Sequence, residues 1–112
     1  MKYYIIIPAY NEEAFMALTL QSLVVQTVLP SKVIVVNDSS TDKTPEIVLA
    51  FAEKYAFISL VNKKSEAIHL PGSKVIQAFH EGEKHIDENY DIIVKVDADL
   101  IFPTNYFETI IK

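Results

Sequence analysis

The sequence lacks cysteine and has almost no glycine, and each shortage excludes a class of site. Among 112 residues there is no cysteine, which excludes disulfides, thiolate zinc sites and cysteine nucleophiles. The only glycines are Gly72 and Gly82, so neither a G-x-G-x-x-G loop nor a Walker A motif can be written. The absence of cysteine fits a reducing compartment, and we expect a cytoplasmic protein.

Long apolar runs are also missing. No stretch reaches the ~18 uninterrupted apolar residues of a membrane helix. The apolar run at the start of the chain is too short, and carries too little charge, for a signal peptide. Membrane association of a longer, full-length form stays open, because an anchoring segment could lie outside these residues.

Positive charge is scarce: fifteen acidic residues face ten basic ones, which leaves a net charge of −5. A protein that binds nucleic acid through phosphate contacts needs a basic face, so we expect no nucleic-acid partner. The balance suits a protein that holds a divalent cation, or that meets an anionic ligand through a metal. Half of the residues are apolar and 22% are charged, which is ordinary for one globular domain spanning 1–112.

Short apolar runs alternate with segments of helical period. The runs predict four buried strands. These are residues 3–7, 33–36, 57–61 and 91–96. The alternation predicts an α/β domain, a Rossmann-like parallel sheet of about four strands flanked by helices. Right-handed crossovers predict the spatial order 3-2-1, with the fourth strand beside the first.

Helix signals lie between the predicted strands. Asn11 can cap a first helix, whose apolar face is Met16, Leu20, Leu23 and Val24. The Thr44-Pro45-Glu46 sequence predicts a second helix with a capping hydroxyl and proline at its first position. Its apolar stripe is Ile47, Ala50, Phe51 and Tyr55. A third helix is predicted around 75–86, and a last short one from Pro103 to Lys112.

Polar residues follow three of the predicted strands. In a parallel sheet, ligands bind beyond the carboxyl ends of the strands, where the strand order reverses. The residues there are Pro8-Ala9-Tyr10, Asn37-Asp38 and Asp97-Ala98-Asp99. We therefore expect three carboxylates to converge on one edge, with the Tyr10 ring beside them. The alternative is that these acids only cap strand ends and begin turns.

The D-x-D sequence after the fourth strand is a candidate metal site. Asp97 and Asp99 are two residues apart, so in an extended segment their side chains would point the same way. Two oxygen donors on one side can hold Mg²⁺ or Mn²⁺, with waters and ligand phosphates completing the shell.

Four segments, in order along the chain, resemble the family 2 glycosyltransferases with the GT-A fold. They are I-I-I-P-A-Y-N-E-E (5–13), Q-S-L-V-V-Q-T (21–27), V-I-V-V-N-D-S-S-T-D-K-T (33–44) and I-V-K-V-D-A-D (93–99). The P-x-Y-N-E opening together with D-S-S-T-D-x-T is specific, whereas D-x-D alone is weak. The resemblance implies the N-terminal, nucleotide-sugar-binding part of such an enzyme, with a UDP-sugar preferred.

The resemblance implies a role for each matching residue. The segment Pro8-Ala9-Tyr10 would line the nucleotide pocket, and Glu12 would contact the ribose or base. Asp38 would accept a hydrogen bond from the base, since a carboxylate accepts from an imide N–H. Asp97 would face the ribose or the metal, and Asp99 would bind the metal, Mn²⁺ or Mg²⁺. Lys74 lies where the family tends to carry a basic residue near the diphosphate.

Two departures from the family pattern stand out. The family often has two acids and a glycine where this chain has Asn37-Asp38-Ser39, and Ser39 visits positive φ less easily than glycine. Family members also continue well beyond the D-x-D into a half that binds the acceptor and, in inverting members, supplies the general base. No residue here matches that base. We therefore expect the donor-binding half of a longer enzyme, inactive alone, with an unknown glycan, lipid or protein acceptor.

Other functions stay open. A non-catalytic nucleotide-binding or interaction module is one. A phospho-receiver-like Mg²⁺ module would want acids where the chain has Pro8-Ala9-Tyr10, and an aspartate where it has Asn62. A nucleotidyltransferase would usually open with a glycine-rich loop, which is absent. An uncovered apolar edge at strand 91–97 also predicts self-association through that strand.

Overall fold

The computed structural model describes residues 2–63 and 90–111. Its four strands are β1 (Tyr3–Ala9), β2 (Lys32–Asp38), β3 (Ile58–Lys63) and β4 (Ile92–Lys95). Its helices are α1 (Met16–Val24), α2 (Thr44–Lys54) and a C-terminal α3 (Tyr106–Ile111). The third predicted helix, around 75–86, lies outside the described residues.

The described strands form one parallel sheet in the order β3-β2-β1-β4. This confirms the predicted α/β architecture and the predicted strand order. In the register, Ile5 lies opposite Val33 of β2 and Val94 of β4. The order reverses between β1 and β4, so the crevice expected of such a sheet opens at the carboxyl ends of these two strands.

The core explains why β1 reads as an unbroken apolar run. Because β1 lies between two other strands and under helices, Tyr3 to Ile7 are all buried. On the face covered by α1 and α2, Ile5 and Ile7 pack with Leu20 and Val48. The Tyr3 ring stacks on Phe107 of α3 with centroids 4.9 Å apart, which ties the end of the described chain to its beginning.

Both predicted helix starts differ from the structure in detail. Asn11 does not cap α1, which begins at Met16, because Asn11 takes a left-handed backbone conformation (φ 51°) in the preceding loop. Residue Thr44 begins α2 as predicted, but its hydroxyl does not cap the helix; it bonds the Asp42 side chain. The α2 stripe centres on Val48, which is fully buried, whereas Ala50 is exposed.

The segment after β4 differs from the predicted extended strand. β4 ends at Lys95, and a turn follows in which the Leu100 N–H donates to the Asp97 carbonyl (3.3 Å). The last helix begins at Tyr106, three residues after Pro103. Along the described part of the chain, no helix has both the length and the apolarity needed to cross a membrane.

Candidate functional site

A proline in β1 opens the crevice. The Ile6 carbonyl accepts from the Val96 N–H (3.0 Å), the last backbone bond joining β1 to the chain of β4. Pro8 is two residues further along, so it faces the same neighbour but has no N–H to continue the pairing. On its other side β1 stays paired with β2 through Ala9. The sheet therefore splits between β1 and β4 where the ligand is expected.

Asp38 ends β2, the strand that pairs with β1 on the side away from β4, and is 3% exposed. Its Oδ1 atom is buried and has no hydrogen-bond partner among the described residues. A buried carboxylate oxygen without a donor costs free energy, because the water that solvated it has not been replaced. Asp38 therefore carries an unused hydrogen-bond acceptor at the end of β2.

The neighbours of Asp38 hold the strand end in place. Asn37 donates from Nδ2 to Asn62 Oδ1 of β3 (2.9 Å) and accepts the Ser40 N–H at Oδ1 (3.1 Å). Between them, Ser39 takes a left-handed backbone conformation (φ 59°), at the position where the family pattern often has glycine. That conformation costs a non-glycine residue about 1 kcal/mol. The loop thus keeps the glycine-like path without the glycine.

The β1–α1 and β2–α2 loops are joined by what we call the loop clasp, residues 11–13 against 40–44. The Asn11 N–H donates to Ser40 Oγ (3.0 Å), and Asn11 Oδ1 accepts the Thr41 N–H (2.7 Å). These bonds use both ends of Asn11, so its left-handed backbone belongs to the clasp. Asparagine is among the few residues that adopt this conformation readily.

The buried part of the clasp is centred on Thr44. Its hydroxyl accepts the Glu12 N–H (2.8 Å) and donates to Asp42 Oδ1 (2.6 Å). Asp42 also accepts the N–H groups of Thr44 (2.9 Å) and Glu13 (3.1 Å). Desolvation alone would raise the pKa of Asp42, but these hydrogen bonds from Thr44 and Glu13 lower it below its usual value. The clasp therefore depends on an ionised Asp42.

Asp97 and Asp99 flank a buried alanine in the turn after β4. Both carboxylates are exposed, whereas Ala98 is 3% exposed. Lys95 pairs with Asp97 through an Nζ–Oδ1 contact of 2.8 Å. The expectation of an extended segment is wrong, because the chain turns at residues 97–100. Both carboxylates nevertheless reach solvent on either side of the buried Ala98.

Glu12 links the two sides of the crevice electrostatically. Its pKa is raised, first by desolvation and then by the negative charges of Asp99, Asp42 and Asp97. Glu12 therefore lies within the field of both the clasp and the D-x-D turn. Acids crowded in this way favour a cation nearby.

The sequence predicted Asp38, Asp97 and Asp99 at one edge of the sheet, with the metal held by Asp97 and Asp99 alone. Within residues 2–63 and 90–111, no three acidic, histidine or cysteine side chains come close enough together to ligate one ion. The residues still fit a cation held mainly by its ligand, because Mg²⁺ is often bound by one or two carboxylates plus substrate phosphates. Exposed Asp99, with the crowded acids beside it, could supply such a contact.

The other predicted site residues are distributed around the crevice. Pro8 and Ala9 are the last two residues of β1, and Tyr10 leaves the strand with 49% of its surface exposed. Lys74, the predicted diphosphate contact, lies outside the described residues. The predicted placement of Asp38 at the end of β2 is confirmed.

Sequence reasoning missed two buried polar residues, one in α1 and one just after it. Thr19 bonds the Ala98 carbonyl (2.8 Å) between the two D-x-D carboxylates. Gln26 donates to the Pro103 carbonyl (2.6 Å) and accepts the Phe107 N–H (3.2 Å). Their partners are more than 75 positions away along the chain, so local periodicity could not identify them. The signal was a threonine and a glutamine on or beside the apolar side of a helix.

Comparison with known sequences gives a consistent family. The model of the family "Glycosyl transferase family 2" matches residues 4–112. The probable glycosyltransferase YdaM of Bacillus subtilis is 38% identical over 98 residues, which are 85% of this chain and 22% of that protein. The uncharacterized glycosyltransferase YibD of Escherichia coli is 32% identical over 102 residues, 91% of this chain and 27% of that protein. The chain thus spans about a quarter of the length of these relatives.

Solved structures show the same fold. S. aureus TarS 1–349 in complex with UDP superposes with a TM-score of 0.74 at 27% identity, covering 98% of this chain and 31% of that one. Mannosyltransferase PcManGT from Pyrobaculum calidifontis, in complex with GDP-Man and Mn²⁺, gives a TM-score of 0.70 at 27% identity. It is covered to 28%, and this chain to 91%. The GT-A architecture predicted from the sequence is confirmed.

Proposed function

Because this chain belongs to glycosyl transferase family 2, we propose that it is the donor-binding part of a glycosyltransferase. The crevice between β1 and β4 would bind a nucleotide-diphospho-sugar together with a divalent metal. The observation that carries this proposal is Asp38, a buried carboxylate with an unpartnered oxygen at the topological switch point. A nucleobase imide N–H would satisfy that oxygen.

The nucleoside would occupy the side of the crevice shaped by the loop clasp. Tyr10 is half exposed, so its ring could pack on the base, and Pro8 and Ala9 would line the floor. Glu12, held through its backbone by Thr44, would contact the ribose. Uracil and guanine both carry an N–H that Asp38 could accept. We favour a UDP-sugar, as the sequence resemblance does, and TarS in complex with UDP supports this preference.

The diphosphate would lie toward the D-x-D turn. Asp99 would hold a Mn²⁺ or Mg²⁺ ion, with Asp97 contributing to the metal or the ribose. When bound, the ion would neutralise charge on the leaving diphosphate. PcManGT, which is in complex with GDP-Man and Mn²⁺, supports the use of a divalent metal. Lys95 already neutralises part of Asp97, so Asp99 is the stronger candidate ligand. Lys74 remains a proposed diphosphate contact.

Transfer itself would need residues beyond these 112. We assign no catalytic base here, and propose that the acceptor site and the base belong to a further part of a longer enzyme. Its acceptor could be a glycan, a lipid or a protein. The coverage of about a quarter of YdaM and YibD supports this proposal.

The β4 side of the domain presents an apolar surface that supports self-association. A cavity of about 140 Å³ lies between β4, the following turn and α3. Around it Leu100 is 45% exposed and Ile110 55%. Within the described residues β4 pairs only with β1, and we propose that a second copy can cover this surface. Sedimentation velocity should show mass rising with concentration; a monomer at the highest concentration contradicts this.

Calorimetric titration with UDP, with and without Mn²⁺, tests the proposed function. We expect heat of binding that requires the metal and a weaker response to UMP, which lacks the second phosphate. For variants that remove a carboxylate from the proposed site, Glu53→Gln is the matched control, because Glu53 is an exposed acid at the far end of α2. Absence of binding under both conditions would contradict a formed donor site in this chain.

A further inference from the structure

The D-x-D turn is held from behind by a side chain of α1. Thr19 is fully buried, and its hydroxyl donates to the Ala98 carbonyl oxygen at 2.8 Å. The two residues are 79 positions apart. The carbonyl belongs to the peptide unit that joins Ala98 to Asp99, so the bond fixes the plane from which the Asp99 side chain departs.

Few other bonds define the path of this turn. Before it, the Val96 N–H bonds Ile6, and after it the Leu100 N–H reaches the Asp97 carbonyl at 3.3 Å, which is a long bond. The Ala98 methyl is buried against the core, which leaves the carboxylates of Asp97 and Asp99 on the outside. Among the described residues, Thr19 is thus the side chain that hydrogen-bonds the backbone of the D-x-D.

We propose that Thr19 is a positioning residue for the metal contact, acting on Asp99 through the Ala98 carbonyl. The proposal rests on the proposed function of the D-x-D. The hydroxyl contacts neither metal nor ligand; it sets the direction of the carboxylate that does. Groups that orient metal ligands in this indirect way typically alter metal affinity 10–100-fold when removed.

Other buried polar residues of this helix region provide an internal contrast. Ser22 is also buried, but its hydroxyl donates to the Thr19 carbonyl within α1. Loss of the Ser22 hydroxyl removes a buried hydrogen bond without touching the turn. Gln26 bonds residues 103 and 107, beyond the D-x-D. Of these three side chains, Thr19 alone hydrogen-bonds residues 97–99 within the described structure.

The test compares Thr19→Val, which has nearly the same shape but no hydroxyl, with Thr19→Ser, which keeps the hydroxyl. The readout is the Mn²⁺ concentration that gives half-maximal UDP binding in the full chain. We expect Thr19→Val to raise it about tenfold. In Thr19→Ser this Mn²⁺ concentration should stay within about twofold of the wild-type value. Ser22→Ala should leave it unchanged, in a protein about as thermally stable as Thr19→Val. Equal effects of Thr19→Val and Ser22→Ala would overturn the proposal.

A second readout is independent of nucleotide binding. The amide nitrogen of Asp99 shares the peptide plane with the Ala98 carbonyl, so its NMR resonance reports on the bond from Thr19. We expect Thr19→Val to move this resonance and Thr19→Ser to restore it, in the metal-free protein. If the wild type binds no nucleotide, the proposed function fails, and the resonance still decides whether Thr19 positions the turn. An unchanged resonance would overturn that role.

If Thr19→Val does not fold, Thr19→Ala serves both measurements. It also lacks the hydroxyl but relieves any crowding by the second methyl group. A shifted Asp99 resonance in Thr19→Ala, absent in Thr19→Ser, supports the positioning role. An unshifted resonance contradicts it.

Discussion

The proposed donor site has two walls, the end of β2 with the loop clasp and the turn after β4, and they are built differently. On one wall, Asp38 is buried at a strand end, and the loop clasp joins the neighbouring loops through short hydrogen bonds. On the other, Asp97 and Asp99 are exposed in a turn, with Lys95 as an exposed ion-pair partner. The first wall is complete without a ligand except for one carboxylate oxygen. The second presents charge that a cation would organise.

This difference fits a division of labour in the proposed site. A base is recognised by direction, so its acceptor benefits from being fixed and desolvated. A metal–diphosphate pair brings its own charge and coordination, so exposed carboxylates suffice. The same contrast implies different consequences of substitution. Changes on the exposed wall should affect binding with little effect on stability, and changes on the buried wall should affect both.

The largest binding effect is expected at Asp99. Asp99→Asn keeps the side-chain shape and removes the charge, and should weaken Mn²⁺-dependent UDP binding by about a hundredfold. Because the side chain is exposed, the melting temperature should change little. Titration calorimetry and thermal unfolding check this, with Glu53→Gln as the charge-matched control. Unchanged binding and metal dependence would show that the D-x-D does not hold the metal.

Asp38 should show opposite effects on stability and binding. Asp38→Asn removes a charge from a buried site with an unpartnered oxygen, so the free energy of unfolding should rise at neutral pH. UDP binding should weaken about tenfold, because an amide is a poorer acceptor than a carboxylate. Denaturant unfolding and calorimetry measure the two effects. A loss of stability without a loss of binding would mean that Asp38 is a structural residue.

Thr44 tests whether the clasp shapes the nucleoside wall. Thr44→Val leaves the Glu12 N–H and Asp42 without their buried partner, and should cost about 1–3 kcal/mol in the free energy of unfolding. Thr41→Val is the control, since Thr41 is exposed and its hydroxyl makes only a 3.4 Å contact with Asn11. It should cost less than about 0.5 kcal/mol. Equal costs in the two variants would contradict a buried clasp.

Glu12 should give the smallest effect and the clearest pH signature. Its folded pKa lies above the unfolded value, so the folded state holds the proton more tightly and stability falls as pH rises through the folded pKa. Glu12→Gln should remove this decline and slightly raise the melting temperature of the metal-free protein at neutral pH. Melting curves across pH check it. A steeper decline in the variant would contradict the crowding of Glu12 by Asp99, Asp42 and Asp97.

The fold was largely predictable from the sequence because its signals are local or topological. The apolar runs located all four described strands, and right-handed crossovers between parallel strands determined their order. Details that depend on tertiary partners were not predictable. Asn11 looks like a helix cap in isolation, but the loop of Ser40 and Thr41 draws it into the clasp. Val48 rather than Ala50 faces the core because the sheet decides which helix face is buried.

The site was predictable in its membership more than in its geometry. Asp38 could be predicted because it lies at the end of a strand, and the apolar run in the sequence locates that strand. The turn at the D-x-D did not follow, because its tertiary contacts, such as the bond from Thr19 to the Ala98 carbonyl, join residues 79 positions apart and leave no local signal. Ser39 shows the reverse case, in which hydrogen bonds around it preserve a backbone path that the residue type disfavours.

Paramagnetic broadening of NMR signals can locate the bound metal directly. Mn²⁺ is paramagnetic, so in ¹⁵N-labelled protein saturated with UDP it broadens the amide resonances nearest to it. We predict that Asp97 to Asp99 and Glu12 lose intensity first, while β3, at the opposite edge of the sheet, keeps its signals. Broadening that is uniform, or strongest away from the β1–β4 crevice, would show that this crevice is not the donor site.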